Sequence, residues 1–263
     1  MSSDAPTSAP RAATRTAPPW SAFWNEQITF SRRFLRGNAA LFVTRSEALL
    51  ELGPDDVVLD LGSSFGHVAR SLAPRVAEYC GVDASARALG ACPPIRTRRG
   101  SARFERVDLA RDPLPAARIA PGYTLVLGHS VVQYLPSHAA VDRLIDELSR
   151  VAAPNARMLL ADLPTEGGAA LDAASQLWHG LRGGYARHVA WALTLAPLSG
   201  YGRTRRSHGV LRFSEARLRE LGARFGAETR VLSARLTANA SRRHLYAKRE
   251  PAAGGGTLDA TRR

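Results

Sequence analysis

Three aspartates each stand at or near the end of an apolar run, and small residues follow the first of them. The stretch "VVLDLGSSFGHVARSLA" (57–73) carries Asp60, then Gly62, Ser63, Ser64 and Gly66, before a helix-like pattern begins. Glycines where a strand meets a helix permit a tight turn and a close approach of the backbone to a ligand, and the helix then presents unpaired N–H groups to it. The run "AEYCGVD" closes on Asp83, and "ARFERVD" closes on Asp108. Ligands of open α/β sheets bind beyond the carboxyl ends of the strands. There, a carboxylate at Asp83 can accept both hydroxyls of a ribose, and one at Asp108 can meet an adenine amino group. One small-residue turn and two such acids describe a nucleoside pocket, although Asp83 also suits the N-cap of "ASARAL" and Asp60 could merely anchor its turn.

Two cofactor classes share this layout. A dinucleotide needs G-x-G-x-x-G for its pyrophosphate, and here the last glycine, Gly66, falls one position early. S-adenosylmethionine has no phosphate and needs Asp60 and the glycine turn near its amino-acid moiety. "VVLDLGSSFGHVARSLA" resembles the first motif, D-x-G-x-G-x-G, of the class I S-adenosylmethionine-dependent methyltransferases, with Ser64 in place of the middle glycine. "EYCGVD", "RVDL", "YTLVLGHSVVQYL" and "LSRVAAPNARMLLADLP" are similar to the later motifs in the same order. The resemblance, over roughly residues 30 to 249, implies S-adenosylmethionine as cofactor and S-adenosylhomocysteine as product. It implies cofactor contacts from Asp60, Gly62, Ser63, Ser64, Gly66, Asp83, Ala84, Asp108, Leu109 and His129.

Methyl transfer asks the protein chiefly to place the acceptor in line, with a general base where the acceptor is a hydroxyl. His129 follows the fourth strand and is the candidate base; Gln133, Tyr134, Trp24 and Trp178 are candidates for the acceptor pocket. No metal is called for.

Positioning these residues takes an α/β fold: a seven-stranded, doubly wound, mostly parallel sheet with an antiparallel last strand, plus N-terminal helices and an inserted lid. Strands are expected over 56–62, 77–83, 102–108, 123–130 and 156–164, alternating with helices over 65–75, 84–91 and 138–154. Alternation of this kind implies right-handed crossovers in a parallel sheet. One or two helices precede it over 20–52; a helix at 214–226 and an antiparallel pair, 227–236 with 241–249, end it. From 165 to 213 the periodicity lapses, and this insert, with Trp178, Tyr185, Trp191 and Tyr201, is expected to cover the carboxyl edge together with Trp20, Trp24 and Phe30. The methyltransferase domain is thus 20–249, between disordered tails at 1–19 and 250–263.

Composition narrows the partners. No apolar run reaches the eighteen residues of a membrane span, and the N-terminus lacks an apolar signal segment, so no membrane partner and a cytoplasmic location are expected. Cys80 and Cys92 have no metal-site or disulfide spacing. The net charge is +13, and residues 201–249 hold thirteen Lys and Arg against three acids, which raises an RNA or protein methyltransferase as an alternative. Only Lys248 among the 36 basic residues is a lysine, however, so the bias reads as compositional, nucleic acid as an unlikely partner, and a small organic molecule as the expected acceptor. A homodimer and a catalytically inactive relative remain open readings.

Overall fold

The computed structural model describes residues 19–26, 31–195 and 198–251. Most of both expected tails, and Phe30, lie outside the described residues.

Two helices come first, α1 (Trp20–Glu26) and α2 (Arg32–Leu50). The sheet and its crossovers follow as β1 (Val57–Leu61), α3 (Ala69–Leu72), β2 (Glu78–Asp83), α4 (Ala86–Leu89), a short hairpin of β3 (Arg96–Thr97) and β4 (Gly100–Ser101), β5 (Arg103–Arg106), β6 (Tyr123–His129), α5 (His138–Val151) and β7 (Ala152–Leu163). Three helices, α6 (Ala169–Arg182), α7 (Ala186–Thr194) and α8 (Gly200–His208), occupy the insert, and α9 (Glu215–Phe225), β8 (Glu228–Leu232) and β9 (Arg243–Lys248) are the last elements among the described residues.

The seven strands lie in the order β5-β2-β1-β6-β7-β9-β8. All neighbouring pairs from β5 to β7 are parallel, and β9 runs antiparallel to both β7 and β8. The expected sheet and its reversed final strand are therefore present. Helices cover both faces, so the central strands are apolar on both sides. Val57, Leu59 and Leu61 belong to one core cluster with Val141, Leu144, Ile145 and Leu148 of α5 and Leu218, Leu221 and Phe225 of α9. Val58, Leu127 and Leu159 belong to the other, with Phe42 and Val43 of α2. Alternate residues of one strand thus serve opposite layers, as the pleat requires.

Caps agree with the sequence. The Ser137 hydroxyl accepts the Ala140 amide at the start of α5, and the Ser214 hydroxyl accepts the Arg217 amide at the start of α9. Elsewhere the expected bounds shift. The helix expected over 65–75 begins only at Ala69, because Ser64 (φ 50°) and Gly66 (φ 67°) adopt left-handed conformations that an α-helix cannot contain. The helix expected over 84–91 is one turn, and β7 starts at Ala152, taking the residues expected to end α5. The insert is mostly helical rather than irregular.

Candidate functional site

β1 lies between β2 and β6: the chain leaves β1 toward β2 and β5 on one side and returns to β6 on the other. This reversal is where open α/β sheets leave a crevice at their carboxyl ends. A cavity of about 760 Å³ occupies it, lined by the turns after β1, β2, β5 and β6, by Asp162 of β7 and by residues of α1, α2, α6, α7 and α8.

Twelve of the predicted site residues line this cavity: Asp60, Gly62, Ser63, Ser64, Asp83, Ala84, Asp108, Leu109, His129, Gln133, Tyr134 and Trp24. Gly66 and Trp178 are not among its lining residues. A Cβ on Gly66 would stand 3.2 Å from Cys92 Sγ and 3.3 Å from Phe104 Cζ, so this glycine lets the turn pack on the sheet. Trp178 points outward and is 56 % exposed, which removes it from the acceptor pocket.

The turn after β1 is built for closeness. Gly62 (φ 70°) and Ser63 both donate to the Val82 carbonyl, at 2.8 and 3.0 Å, and a Cβ on Gly62 would meet Val131 Cγ2 at 2.7 Å. Ser64 holds φ 50°, a conformation costing a non-glycine residue about 1–2 kcal/mol, which explains why glycine is usual there. The strain is offset locally. Oδ2 of Asp83 accepts the Ser64 amide at 2.9 Å and Oδ1 accepts the Ser85 amide at 2.8 Å. Both oxygens are thereby fixed in orientation, and each retains a lone pair.

Asp60 is 2 % exposed and accepts the Tyr79 hydroxyl at 2.6 Å. Burial raises its pKa to about 7 even though the Tyr79 hydrogen bond opposes the rise; Asp83 adds to it. Burial also raises Asp83, against its two amide hydrogen bonds. Two carboxyl groups on one cavity, both pushed toward their neutral forms, make a site short of positive charge. Ser63 Oγ, both ring nitrogens of His67 and Gln133 Oε1 are buried without a partner, and their residues all line the cavity. This acceptor-rich lining fits a ligand that is cationic at one end and rich in hydroxyl and amine groups, and such a description matches an adenosyl sulfonium.

His129 ends β6 and stacks face to face on Phe42, centroids 4.6 Å apart and planes within 3°. Burial lowers its pKa, with Asp162 acting in the opposite direction, so the ring is biased to its neutral form. Beyond it, Tyr134 packs against Trp20 (4.7 Å) and Trp24 (5.3 Å), and Tyr201 of α8 packs against Trp20 (5.4 Å). Trp20 Nε1 donates to the Gly209 carbonyl at 2.8 Å. The first helix, the loop after β6 and the last helix of the insert thus form one aromatic wall.

Sequence reading missed Asp162. Its Oδ2 accepts the Ser130 hydroxyl at 2.7 Å, and its Oδ1 accepts the Thr237 hydroxyl at 3.0 Å and the Asn239 amide at 2.7 Å. Gln133 donates to Ser130 Oγ at 3.1 Å, which extends the network into the loop after β6. It also missed Asp172, which pairs with Arg242 at 3.0 Å and accepts the Ser241 amide. An acid closing an apolar strand, "LLAD", was the available signal for Asp162; it repeats the pattern of Asp83.

Residues 59–158 match a family model described as a methyltransferase domain. A search for similar curated proteins finds no match. Among solved structures, an S-adenosylmethionine-dependent methyltransferase from Mesorhizobium loti aligns with a TM-score of 0.53 at 15 % identity, covering 80 % of this chain and 98 % of its own. A methyltransferase from Thermotoga maritima, described as a possible histamine N-methyltransferase, aligns at 0.52 and 14 %, covering 88 % and 98 %. The pyocyanin biosynthetic protein PhzM aligns at 0.52 and 14 %, covering 88 % of this chain and 62 % of its own.

Proposed function

We propose that the chain is a class I S-adenosylmethionine-dependent methyltransferase and that it transfers a methyl group to a small organic acceptor in a biosynthetic tailoring step, a reading supported by the methyltransferase-domain match over residues 59–158 and by the shared fold. The observation that carries the reading is the pair of carboxyl groups, buried Asp60 and half-buried Asp83, on one cavity at the sheet's switch point. When bound, the cofactor supplies an electrophilic methyl group on sulfur.

The chain's own residues do the rest. Asp83, its oxygens oriented by the Ser64 and Ser85 amides, receives the ribose hydroxyls. Ala84, Asp108 and Leu109 border the adenine, and Ser63 and Ser64 line the turn with Gly62. Asp60 ionises beside the positive charge. Neutral His129 accepts a proton from the acceptor, and Gln133, Tyr134 and Trp24 bound the space in which the acceptor is held. Helices α1, α6, α7 and α8 close over the cavity as a lid and exclude water. The cavity's volume falls in the range of small-molecule sites, which supports a small acceptor over a polymer. The basic C-terminal third supports a polymer less than its charge suggests. Arg217, Arg219, Arg224, Arg230, Arg242 and Arg243 are engaged in ion pairs, and Arg249 donates to the Ser149 and Ala152 carbonyls.

Calorimetric titration with S-adenosylhomocysteine tests the reading. Saturable binding is expected, reduced at least tenfold in Asp83→Ala; no heat of binding, or wild-type affinity in the variant, overturns it.

A further inference from the structure

Helix α6 is amphipathic the wrong way round for a helix facing water. Its buried positions are Asp172 and Gly180, and Gln176, hydrogen-bonded to Asn239, lines the cavity beside Asp172. Its exposed positions include Leu171, Leu177, Trp178 and Leu181, which fall within an arc of roughly 120° at 3.6 residues per turn. Helix α7 continues the pattern: Val189 and Ala192 are buried, while Trp191 and Leu193 are exposed, followed by Leu195 and then Leu198 at 75 %. Every large apolar side chain that is exposed among the described residues lies between 171 and 198. An outward apolar arc of the kind that α6 presents marks an interaction surface.

The charge around it selects the occupant. Helices α6 and α7 carry Arg182 and Arg187 and a single acid, Asp172, which is committed to Arg242. The Arg182 guanidinium lies 5.3 Å from the Trp178 ring centroid, and exposed Arg187 stands on α7. Arg33, also exposed, reaches the turn between the two helices at Gly184. A two-fold contact between copies would set these like charges against one another. An anionic lipid surface instead takes both features: tryptophan and leucine enter the acyl boundary, and arginine stems lie along it with their heads on the phosphates.

We propose that the outer face of α6 and α7 docks this protein onto an anionic membrane surface. No described helix is long and apolar enough to cross a membrane, so the pair lies on the bilayer rather than through it. The inner faces of the same helices wall the cavity through Asp172, Gln176 and Ala192, and Leu193 belongs to both sides. The expectation of no membrane partner, which rested on the missing span, is thereby narrowed to the absence of a crossing.

Co-sedimentation of the full chain with vesicles tests this. Vesicles of phosphatidylglycerol and phosphatidylcholine in equal parts are expected to pellet the protein at low salt, and pure phosphatidylcholine vesicles to need at least tenfold more lipid. Leu177→Glu/Leu181→Glu, changed only at exposed positions, is expected to stay in the supernatant while melting at the wild-type temperature. Arg182→Glu/Arg187→Glu is expected to lose the preference for the anionic lipid. Failure of the wild type to pellet, equal pelleting by the leucine variant, or light scattering that shows a dimer which the leucine variant dissolves would each overturn the proposal. None of these readouts depends on methyl transfer, so the docking face fails or stands apart from the proposed activity.

Discussion

Tyr79 and Asp60 meet across two neighbouring parallel strands, the phenol donating to Oδ2 at 2.6 Å with both side chains buried. The hydrogen bond favours the carboxylate, yet burial dominates and leaves Asp60 with a pKa of about 7 against an ordinary value of 3.8. Between those values the folded protein holds a proton that the unfolded chain has released. The stability contributed by this group is therefore full only below pH 3.8 and is lost as pH rises through about 7. His67 and His244, lowered to about 4 by burial, act with the opposite sign below their ordinary value of 6.5. The difference between wild type and Asp60→Asn isolates the aspartate. Thermal melting of the ligand-free proteins should show wild type losing ground to the variant from pH 5 to pH 8; parallel curves would refute it.

The same group should make cofactor affinity depend on pH. Ionised Asp60 attracts a cationic ligand and neutral Asp60 does not. Titration with S-adenosylmethionine should tighten several-fold from pH 6 to pH 8 in the wild type. Asp60→Asn should bind more weakly and lose most of that dependence, and an equal slope in the variant would place the titrating group elsewhere.

Asp83 has two roles that one substitution confounds. Asp83→Ala removes a ligand contact and also strands the Ser64 and Ser85 amides. A buried donor left unmatched costs about 1–3 kcal/mol. Asp83→Ala is expected to lower stability by about 2 kcal/mol and S-adenosylhomocysteine affinity at least tenfold. Ser64→Gly relieves the positive φ without touching the carboxylate, and is expected to raise stability slightly while keeping affinity. Melting and calorimetry on both variants separate the two effects.

That the strand-end residues of this site share one cavity was legible because its geometry follows from strand ends. Asp60, Asp83 and the turn at Gly62 sit at fixed offsets from apolar runs, and a parallel sheet brings those ends together whatever the loops do. The acceptor side was less legible. Asp172 and Arg242 are seventy residues apart and meet only because α6 folds back over the end of β9. Helix α6 was hidden for a different reason: its leucines face outward and its small and polar residues inward, so the usual rule linking apolar positions to a buried face misleads. Gly66 carries a packing role that its motif position did not announce: it leaves room for Cys92 and Phe104.

Asp162 should be the most sensitive polar position on the acceptor side. It stands at φ 68°, accepts from Ser130, Thr237 and Asn239, and donates its own amide to His244 Nδ1 at 3.1 Å. The network ties β7, at the irregularity in its pairing with β9, to the loop after β6 and to the segment before β9. Asp162→Ala leaves three donors without their acceptor, and a loss of about 3 kcal/mol is expected, because such penalties do not add fully. For a domain of this size that corresponds to a fall on the order of 10 °C in melting temperature. Ser130→Ala deletes one donor to Asp162 and also takes the acceptor from the buried Gln133 Nε2, while Thr237 and Asn239 stay satisfied, so its cost should be nearer to about 2 kcal/mol. Asp162→Asn should fall between them, since its amide nitrogen confronts donors on one side while its oxygen still accepts on the other. Melting curves of the three variants in the order Ser130→Ala, Asp162→Asn, Asp162→Ala would establish that the carboxylate organises this wall; equal melting temperatures would show that it does not.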